Sequence, residues 1–311
     1  MIQKSAIPNT ASPQVQNLKT FPTIGSALYA ESGKKILRNA INSEMRNPTC
    51  GLRISIISHT FTDMEDKITN SHQWMETLSE AVTPGKAEVL RRFFKTGKGE
   101  YGEGDQFIGV MVPANRLIAK RTIGSPFSEI EKMLSSGVHE HRLSALLALV
   151  ERYKKSRKNA EARKQIVDFY LNHTATINNW DLVDLSAPYI IGQQMALEKG
   201  FDPTEKLIKS TNIWEQRIGV VATMTLIRKG RFGEAVRNVT ALLHHDHDLL
   251  QKANGWMLRE IGKRDASTLT LFLDQHAATM PRTTLRYAIE RLDPERKKAY
   301  MTKKKHTTNS L

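Results

Sequence analysis

The sequence predicts an all-α protein built as a stack of antiparallel helix pairs. From residue 65 onward, apolar residues recur at helical intervals in almost every segment. The connections between these segments are short, and none shows the apolar and polar alternation of a strand. The second helices of successive pairs begin near residues 142, 180, 213 and 252. That interval of roughly 33 to 39 residues is typical of helical-hairpin repeats, which stack into a curved solenoid.

Composition and charge favour a polyanionic partner. The 311 residues include 46 Lys and Arg against 32 Asp and Glu, a formal net charge of +14. This surplus favours nucleic acid or an acidic membrane surface, although charge alone also fits a merely basic protein. No run approaches the roughly 18 apolar residues of a spanning helix, so we expect no membrane partner. The single cysteine, Cys50, excludes an intrachain disulfide and favours a cytoplasmic location.

The N-terminal segment differs from the rest of the chain. Residues 1–63 are rich in proline and small polar residues and lack a sustained helical pattern. We predict a basic, disordered extension there, with a targeting segment or an alternative start at Met64 as the other possibilities. The repeat domain is predicted to span 64–301, followed by a basic C-terminal tail at 302–311.

The helices follow from apolar spacing and from start and stop residues. The first two are predicted at 65–81 and 86–95, before the glycine-rich, non-helical stretch 96–112. Pro113 and Pro126 each fit the first position of a helix, the latter behind a serine N-cap. The remaining helices are predicted at 139–155, 160–173, 180–199 with an interruption near Pro188 and Gly192, 203–210, 213–229, 232–243, 248–262, 266–277 and 281–291.

Three groups of residues invite functional interpretations that the sequence does not favour. The stretch 96–112 has five glycines but lacks the GxxxxGK[ST] pattern of a phosphate loop. The run 244–248 (HHDHD) resembles a metal cluster, but its place between two helices favours a capping turn. His139 and His141 flank a helix start and are expected at the surface. We therefore predict neither a metal nor a cofactor.

Three tryptophans fall in successive predicted repeats. Trp180, Trp214 and Trp256 lie in helices whose inner faces would line one surface. Asp184 follows Trp180 by four residues, so the ring and the carboxylate share a helix face. Arg259 follows Trp256 by three. Tryptophan at helical spacing is more often packing, and aspartate more often a solvated charge, but the apolar neighbours of Asp184 favour partial burial.

Four stretches carry a family resemblance. They are 179–184 (NWDLVD), 212–217 (NIWEQR), 251–260 (QKANGWMLRE) and the segment that begins at 93–97 (FFKTG). In order and approximate spacing they resemble the AlkD-type DNA alkylation repair family, alkylpurine DNA glycosylases built from HEAT-like repeats. The likeness covers about residues 86 to 300.

The resemblance implies a role for each matching residue. Trp180 and Trp256 match the aromatics that bracket the damaged nucleotide, and Asp184 matches the catalytic carboxylate. Arg217 matches an arginine that holds a phosphate, and we add Arg259 as a second DNA-binding candidate. Trp214 matches no catalytic role. The family also implies that the lesion stays in the duplex instead of being extruded into a pocket.

The chemistry fits these residue types. A purine alkylated at N3 or N7 is cationic and leaves with little protonation, while positive charge develops on the deoxyribose. A fixed carboxylate such as Asp184 stabilises that charge, and tryptophan faces add to it. The sequence thus predicts a monomeric, monofunctional glycosylase acting on 3-methyladenine or 7-methylguanine in double-stranded DNA. The alternatives are a noncatalytic DNA-binding relative and a helical-repeat protein scaffold.

Overall fold

The regular structure of the protein is helical. The computed structural model describes residues 67–303, and within that range the only β feature is an isolated parallel bridge between Gln106 and Val138. The α-helices are α1 (Ser71–Glu80), α2 (Lys86–Phe93), α3 (Val112–Arg121), α4 (Phe127–Leu134), α5 (His139–Lys155), α6 (Ala160–Asn172), α7 (Trp180–Asp184), α8 (Ile191–Leu197), α9 (Thr204–Leu207), α10 (Ile213–Val221), α11 (Met224–Arg228), α12 (Gly233–Ala241), α13 (Asp248–Gly262), α14 (Ala266–His276), α15 (Arg282–Ala288) and α16 (Pro294–Thr302). A 3-10 helix spans Thr174–Thr176. The all-α prediction is confirmed.

The helices that the repeat predicted to be neighbours pack side by side. Helix α5 contacts α7, α7 contacts α10, α10 contacts α13, and α13 contacts α15. Helices α3 and α4 pack on α5, and α12 and α14 pack on α13. Successive inner helices are thus neighbours in the stack, and α5 and α13 are also covered by further helices, which is how helical repeats build a continuous core. In this part of the chain no helix combines the length and apolar composition needed to cross a membrane.

Helix α5 is buried along most of its length. Its apolar side chains are almost fully enclosed, in agreement with a pattern too apolar for a helix exposed on two sides: Leu143, Leu146, Leu147, Leu149 and Val150. The surface location expected for His139 and His141 is wrong, because both are buried. His141 is hydrogen-bonded through Nδ1 to Ser136 Oγ at 2.9 Å. The two ring nitrogens of His139 are hydrogen-bonded to Asp105 and Asp181, which are distant in sequence.

Several helix boundaries differ from the prediction. The interruption predicted between 180 and 199 is present as the gap between α7 and α8, and the helix predicted at 213–229 is divided into α10 and α11. Pro126 is the N-cap residue of α4 rather than its first helical residue, and the Ser125 hydroxyl donates to Ile68 O at 2.9 Å instead of capping. Helix α16 was not predicted, although Asp293 caps it and a proline opens it. The predicted extension 1–63 lies outside the described residues.

The glycine-rich segment between α2 and α3 is anchored to α5 instead of forming a loose loop. The Glu140 carboxylate accepts hydrogen bonds from three successive backbone amides, including Gly109 N at 2.7 Å. A Cβ on Gly102 would lie 2.4 Å from Phe94 O, so only glycine permits this approach to the end of α2. Non-helical backbone over 96–111 confirms the predicted break and brings this segment against the start of α7.

Candidate active site

Helix α7 places an aromatic ring and a carboxylate one turn apart. The Asn179 side chain accepts the amide of Trp180 at 2.8 Å, which fixes the start of this five-residue helix. Trp180 is its first residue and Asp184 its last, so the two side chains lie on the same face. Leu182 and Val183 point into the core between them.

The Asp184 carboxylate is held by Arg217 from α10. Arg217 Nε donates to Asp184 Oδ1 at 3.0 Å and Nη2 donates to Oδ2 at 2.9 Å, a bidentate fork. Arg217 Nη1 donates to Leu249 O, in the first turn of α13, at 2.6 Å. One guanidinium thus joins α7, α10 and α13. The side chains of Asp184 and Arg217 are 16% and 7% exposed, so the carboxylate keeps limited access to solvent.

The environment of Asp184 leaves its carboxylate weakly solvated. Burial raises the pKa of this carboxyl, the Arg217 guanidinium opposes the shift, and the Asp181 carboxylate adds repulsion. A carboxylate with this little solvation interacts strongly with a positive charge placed beside it. The arrangement can therefore stabilise a cation that forms beside Asp184.

Trp180 stands in an aromatic cluster. Its ring stacks on Phe94 with centroids 5.3 Å apart and meets Phe93 edge-on at 5.8 Å. Its Nε1 donates to the hydroxyl of Tyr101 at 3.3 Å. Phe93 is 59% exposed, which is unusual for a large apolar ring beside a half-buried tryptophan. The orientation of Trp180 is therefore fixed by two rings and one hydrogen bond.

Trp256 lies on α13 and is half-buried. It shares a helix face with Lys252, four residues earlier, and with Leu249, seven residues earlier. Gly255 lets α13 approach α15 closely, because a Cβ there would lie 2.5 Å from Thr284 O. Among the described residues no ring contact joins Trp256 to Trp180. The helices that carry the two rings are linked by Arg217, which bonds to Asp184 at the end of α7 and to Leu249 O at the start of α13.

Arg259 sits one turn beyond Trp256 and is buried. Its guanidinium forms an ion pair with Glu290. Arg217 and Arg259, the two predicted DNA-binding arginines, thus both have a carboxylate partner within the protein. Trp214, for which no catalytic role was predicted, is buried at the start of α10, where Asn212 Oδ1 accepts its amide at 2.9 Å.

Comparison with known proteins identifies the family. The chain matches the family described as "DNA alkylation repair enzyme" over residues 74–292, more than half of its length. The chain belongs to this family. A search of curated proteins gives no significant match.

Solved structures support the same fold for this DNA alkylation repair family member. A "Predicted DNA alkylation repair enzyme from Enterococcus faecalis" is similar with a TM-score of 0.55 and 17% identity, covering 68% of this chain and 97% of that one. AlkD2 from Streptococcus mutans is similar with a TM-score of 0.45 and 16% identity, covering 72% of this chain and 100% of that one. The first likeness supports the AlkD-like helical-repeat fold, and the second is too weak to add to it.

Sequence reasoning missed a buried charged network beside the site of this repair family member. His139 lies between two carboxylates, with Nδ1 3.1 Å from Asp105 Oδ2 and Nε2 2.9 Å from Asp181 Oδ2. Arg142 pairs with the other oxygen of Asp105, and Asn179 Nδ2 donates to Asp105 at 3.1 Å. The network ties the glycine-rich segment to both residues that flank Trp180. No local sequence signal predicts it, since its bonds join residues that are 34 to 74 positions apart.

The network holds a protonated histidine. Burial alone would lower the pKa of His139, but attraction to Asp181 and hydrogen bonds to both carboxylates outweigh it and raise the pKa to about 9. Burial likewise opposes ionisation of Asp105, yet His139 and Arg142 hold its pKa below the ordinary value. The Asp181 carboxylate is therefore paired with His139 inside the protein. Of the two carboxylate side chains of α7, Asp184 is the more exposed, at 16% against 8% for Asp181.

The histidine-rich turn before α13 has a structural role. His247 Nδ1 accepts the amide of Leu249 at 3.2 Å and so caps the helix, and His245 Nδ1 accepts the amide of His247 at 3.0 Å. Within residues 67–303 no group of three His, Cys, Asp or Glu side chains is placed to hold a metal ion. The turn sets the start of α13 and with it the position of Leu249 O.

Proposed function

We propose that this family member is a monofunctional DNA glycosylase that hydrolyses the N-glycosidic bond of cationic N3- or N7-alkylated purines in duplex DNA. The observation that carries this proposal is the largely buried Asp184 carboxylate, held by a bidentate ion pair with Arg217 and one turn from the half-buried ring of Trp180. The family membership supports a role in alkylation repair, and the net charge of +14 supports a DNA partner. We expect a cytoplasmic monomer, with the activity carried by 64–301.

The reaction follows from where the charge moves. The C1′–N bond of the damaged nucleotide breaks, and its electron pair neutralises the alkylated purine, which leaves as a neutral base. The deoxyribose becomes an oxocarbenium-like cation. Asp184 stabilises this cation and orients the water whose oxygen bonds to C1′, and the proton released goes to solvent. The products are a free base and an abasic site.

Arg217 supports this step by fixing the carboxylate. A charge stabiliser lowers a barrier most when its orientation is set before the reaction, because no reorganisation is then needed. The fork from Arg217 uses one lone pair on each oxygen of Asp184 and leaves the others for substrate. Direct phosphate contacts by Arg217 and Arg259 are further proposals, for which each arginine must share its guanidinium with a protein carboxylate.

The two tryptophans would act on the same sugar and backbone. An indole face attracts a cation with about 0.5–2 kcal/mol. The stack on Phe94 covers one face of Trp180, and the half-buried ring would contact DNA through the part that remains exposed. Trp256 would approach from α13. A lesion kept within the duplex receives no general acid from a pocket, which restricts substrates to purines already weakened by positive charge.

A noncatalytic DNA-binding protein is the second candidate. It is favoured by one observation, the complete pairing of Asp184 with Arg217, which a purely structural ion pair would also show. The two candidates differ in the outcome of a single substitution.

Base release tests the proposal. Purified protein is incubated with methylated duplex DNA, and free 7-methylguanine and 3-methyladenine are quantified. Asp184→Asn keeps the shape and an acceptor for Arg217 but removes the charge, so we expect release to fall about 100- to 1,000-fold. Asp168→Asn, which loses an exposed pair with Lys164 on α6, is the matched control and should release base normally. Equal release by wild type and Asp184→Asn contradicts the mechanism, and binding without release favours the second candidate.

A further inference from the structure

The hydroxyl of Tyr101 is placed beside the candidate site with its proton free. Its oxygen accepts a hydrogen bond from Trp180 Nε1 at 3.3 Å, and its ring meets Trp214 edge-on with centroids 6.3 Å apart. A phenol has one donor and two acceptor positions. Among the residues that the structure describes, no acceptor receives the Tyr101 proton. The hydroxyl therefore has an unused donor on a half-buried side chain next to Trp180.

The backbone around Tyr101 is built to hold it still. Gly102 N donates to Lys95 O at 3.1 Å, and Asp105 N donates to Gly102 O at 3.1 Å. The Glu103 carboxylate accepts the amide of Gly99 at 2.7 Å, which closes the turn on the other side. At its end the segment is fixed by the buried bonds of Asp105 to α5 and to the start of α7. A donor on a rigid element loses little entropy when it meets a ligand.

Lys252 on α13 interacts electrostatically with the same hydroxyl. Burial raises the pKa of Tyr101, while the Trp180 hydrogen bond and the nearby Lys252 ammonium oppose the shift. The phenol is thus neutral under physiological conditions. Lys252 pairs with Asp248 at 2.6 Å and occupies the face of α13 that also carries Trp256. A neutral donor and an ammonium together suit an anionic oxygen.

We propose that Tyr101 contacts DNA directly, its hydroxyl donating to a backbone phosphate oxygen beside the lesion while Lys252 supplies charge to the same phosphodiester. The inference rests on the proposed function, because it takes duplex DNA as the ligand. It gives the glycine-rich segment a role: the segment carries a phosphate donor to the edge of the aromatic cluster. The hydrogen bond from Trp180 Nε1 orients this hydroxyl.

Two substitutions separate the contributions. Tyr101→Phe keeps the ring against Trp214 and removes only the hydroxyl, and Lys252→Met removes only the charge. Tyr189→Phe and Lys164→Met are matched controls, since the ring of Tyr189 is also partly buried and Lys164 also forms an i,i+4 ion pair with an aspartate. Dissociation constants are measured for a duplex with a tetrahydrofuran abasic analogue, from about 50 to about 200 mM salt. Thermal unfolding of each variant confirms that it is folded.

The two substitutions should change different properties of binding, the affinity in one case and its salt dependence in the other. Tyr101→Phe should weaken binding about three- to tenfold at every salt concentration without changing the slope of log K against log salt, because a neutral hydrogen bond releases no counterion. Lys252→Met should reduce that slope by about one. Both controls should match wild type.

Base release measured in parallel distinguishes a failure of the Tyr101 contact from a failure of the proposed function. Wild-type release together with unchanged binding by Tyr101→Phe overturns the Tyr101 contact and leaves the glycosylase proposal intact. An unchanged salt slope in Lys252→Met overturns the part assigned to Lys252. A wild-type protein that neither binds the duplex nor releases base overturns the proposed function and this inference with it.

Discussion

The charged histidine beside α7 should make stability depend on pH in the alkaline range. His139 is 1% exposed and has a pKa of about 9 against 6.5 for the ordinary side chain, because Asp105 and Asp181 face it from the glycine-rich segment and from α7. Arg142, from its own helix, faces Asp105. The shift corresponds to about 3 kcal/mol of stability. This contribution is complete below pH 6.5, falls as the unfolded state loses its proton, and is gone once pH has risen through about 9.

Urea unfolding at constant ionic strength, repeated from pH 6 to pH 10, measures this effect. The free energy of unfolding should fall by about 1.4 kcal/mol per pH unit across the window between the two pKa values. His139→Gln preserves hydrogen bonding but cannot carry the charge, so its curve should be lower at pH 6 and flatter. The difference between wild type and His139→Gln isolates the histidine from lysines and tyrosines that titrate nearby. A difference that stays constant from pH 6 to pH 10 would refute the conclusion that Asp105 and Asp181 hold His139 protonated.

Two further predictions concern the geometry of the site. Arg217→Ala should reduce base release at least as much as Asp184→Asn, because the carboxylate loses both its orientation and its counter-charge; a salt slope lowered by about one would add a phosphate contact to this role, and an unchanged slope would restrict Arg217 to positioning. Gly102→Ala should destabilise the protein by about 1–3 kcal/mol, measured by urea unfolding, because its Cβ would meet Phe94 O. Gly124→Ala, with open space around its Cβ, is the control, and equal stabilities would contradict the close approach.

Local pattern was sufficient to predict the helices and one face of the site. The four-residue spacing from Trp180 to Asp184 and the repeat interval both depend only on the periodicity of a helix, and the structure contains the stack that they imply. Apolar neighbours of Asp184 correctly indicated its partial burial. Where prediction failed locally, at the N-cap of α4 and at α16, the signals were single proline and aspartate residues whose meaning depends on the backbone around them.

Long-range pairing could not be predicted. His139 stands at a helix start, where a polar residue is expected at the surface. Its burial is possible because Asp105 and Asp181 approach it from the glycine-rich segment and from α7. The partner of Arg217 was likewise hidden: the family resemblance implied a phosphate ligand, whereas in the fold the Arg217 guanidinium pairs with Asp184. In both cases the residue type was informative about charge, and the fold decided which opposite charge it meets.

The two carboxylates of α7 show how the fold divides their tasks. Both are aspartates, three positions apart, on a helix of five residues. The Asp181 carboxylate is hydrogen-bonded to His139 Nε2 and accepts a hydrogen bond from the amide of Leu182. Its charge is therefore paired within the protein, where it stabilises the start of the helix. Asp184 pairs with a single cation, Arg217, and its side chain is 16% exposed against 8% for Asp181. Because Arg217 offsets part of the desolvation cost without enclosing the carboxylate, Asp184 can stay ionised while its charge is poorly screened, and that combination is what stabilisation of a transient sugar cation requires.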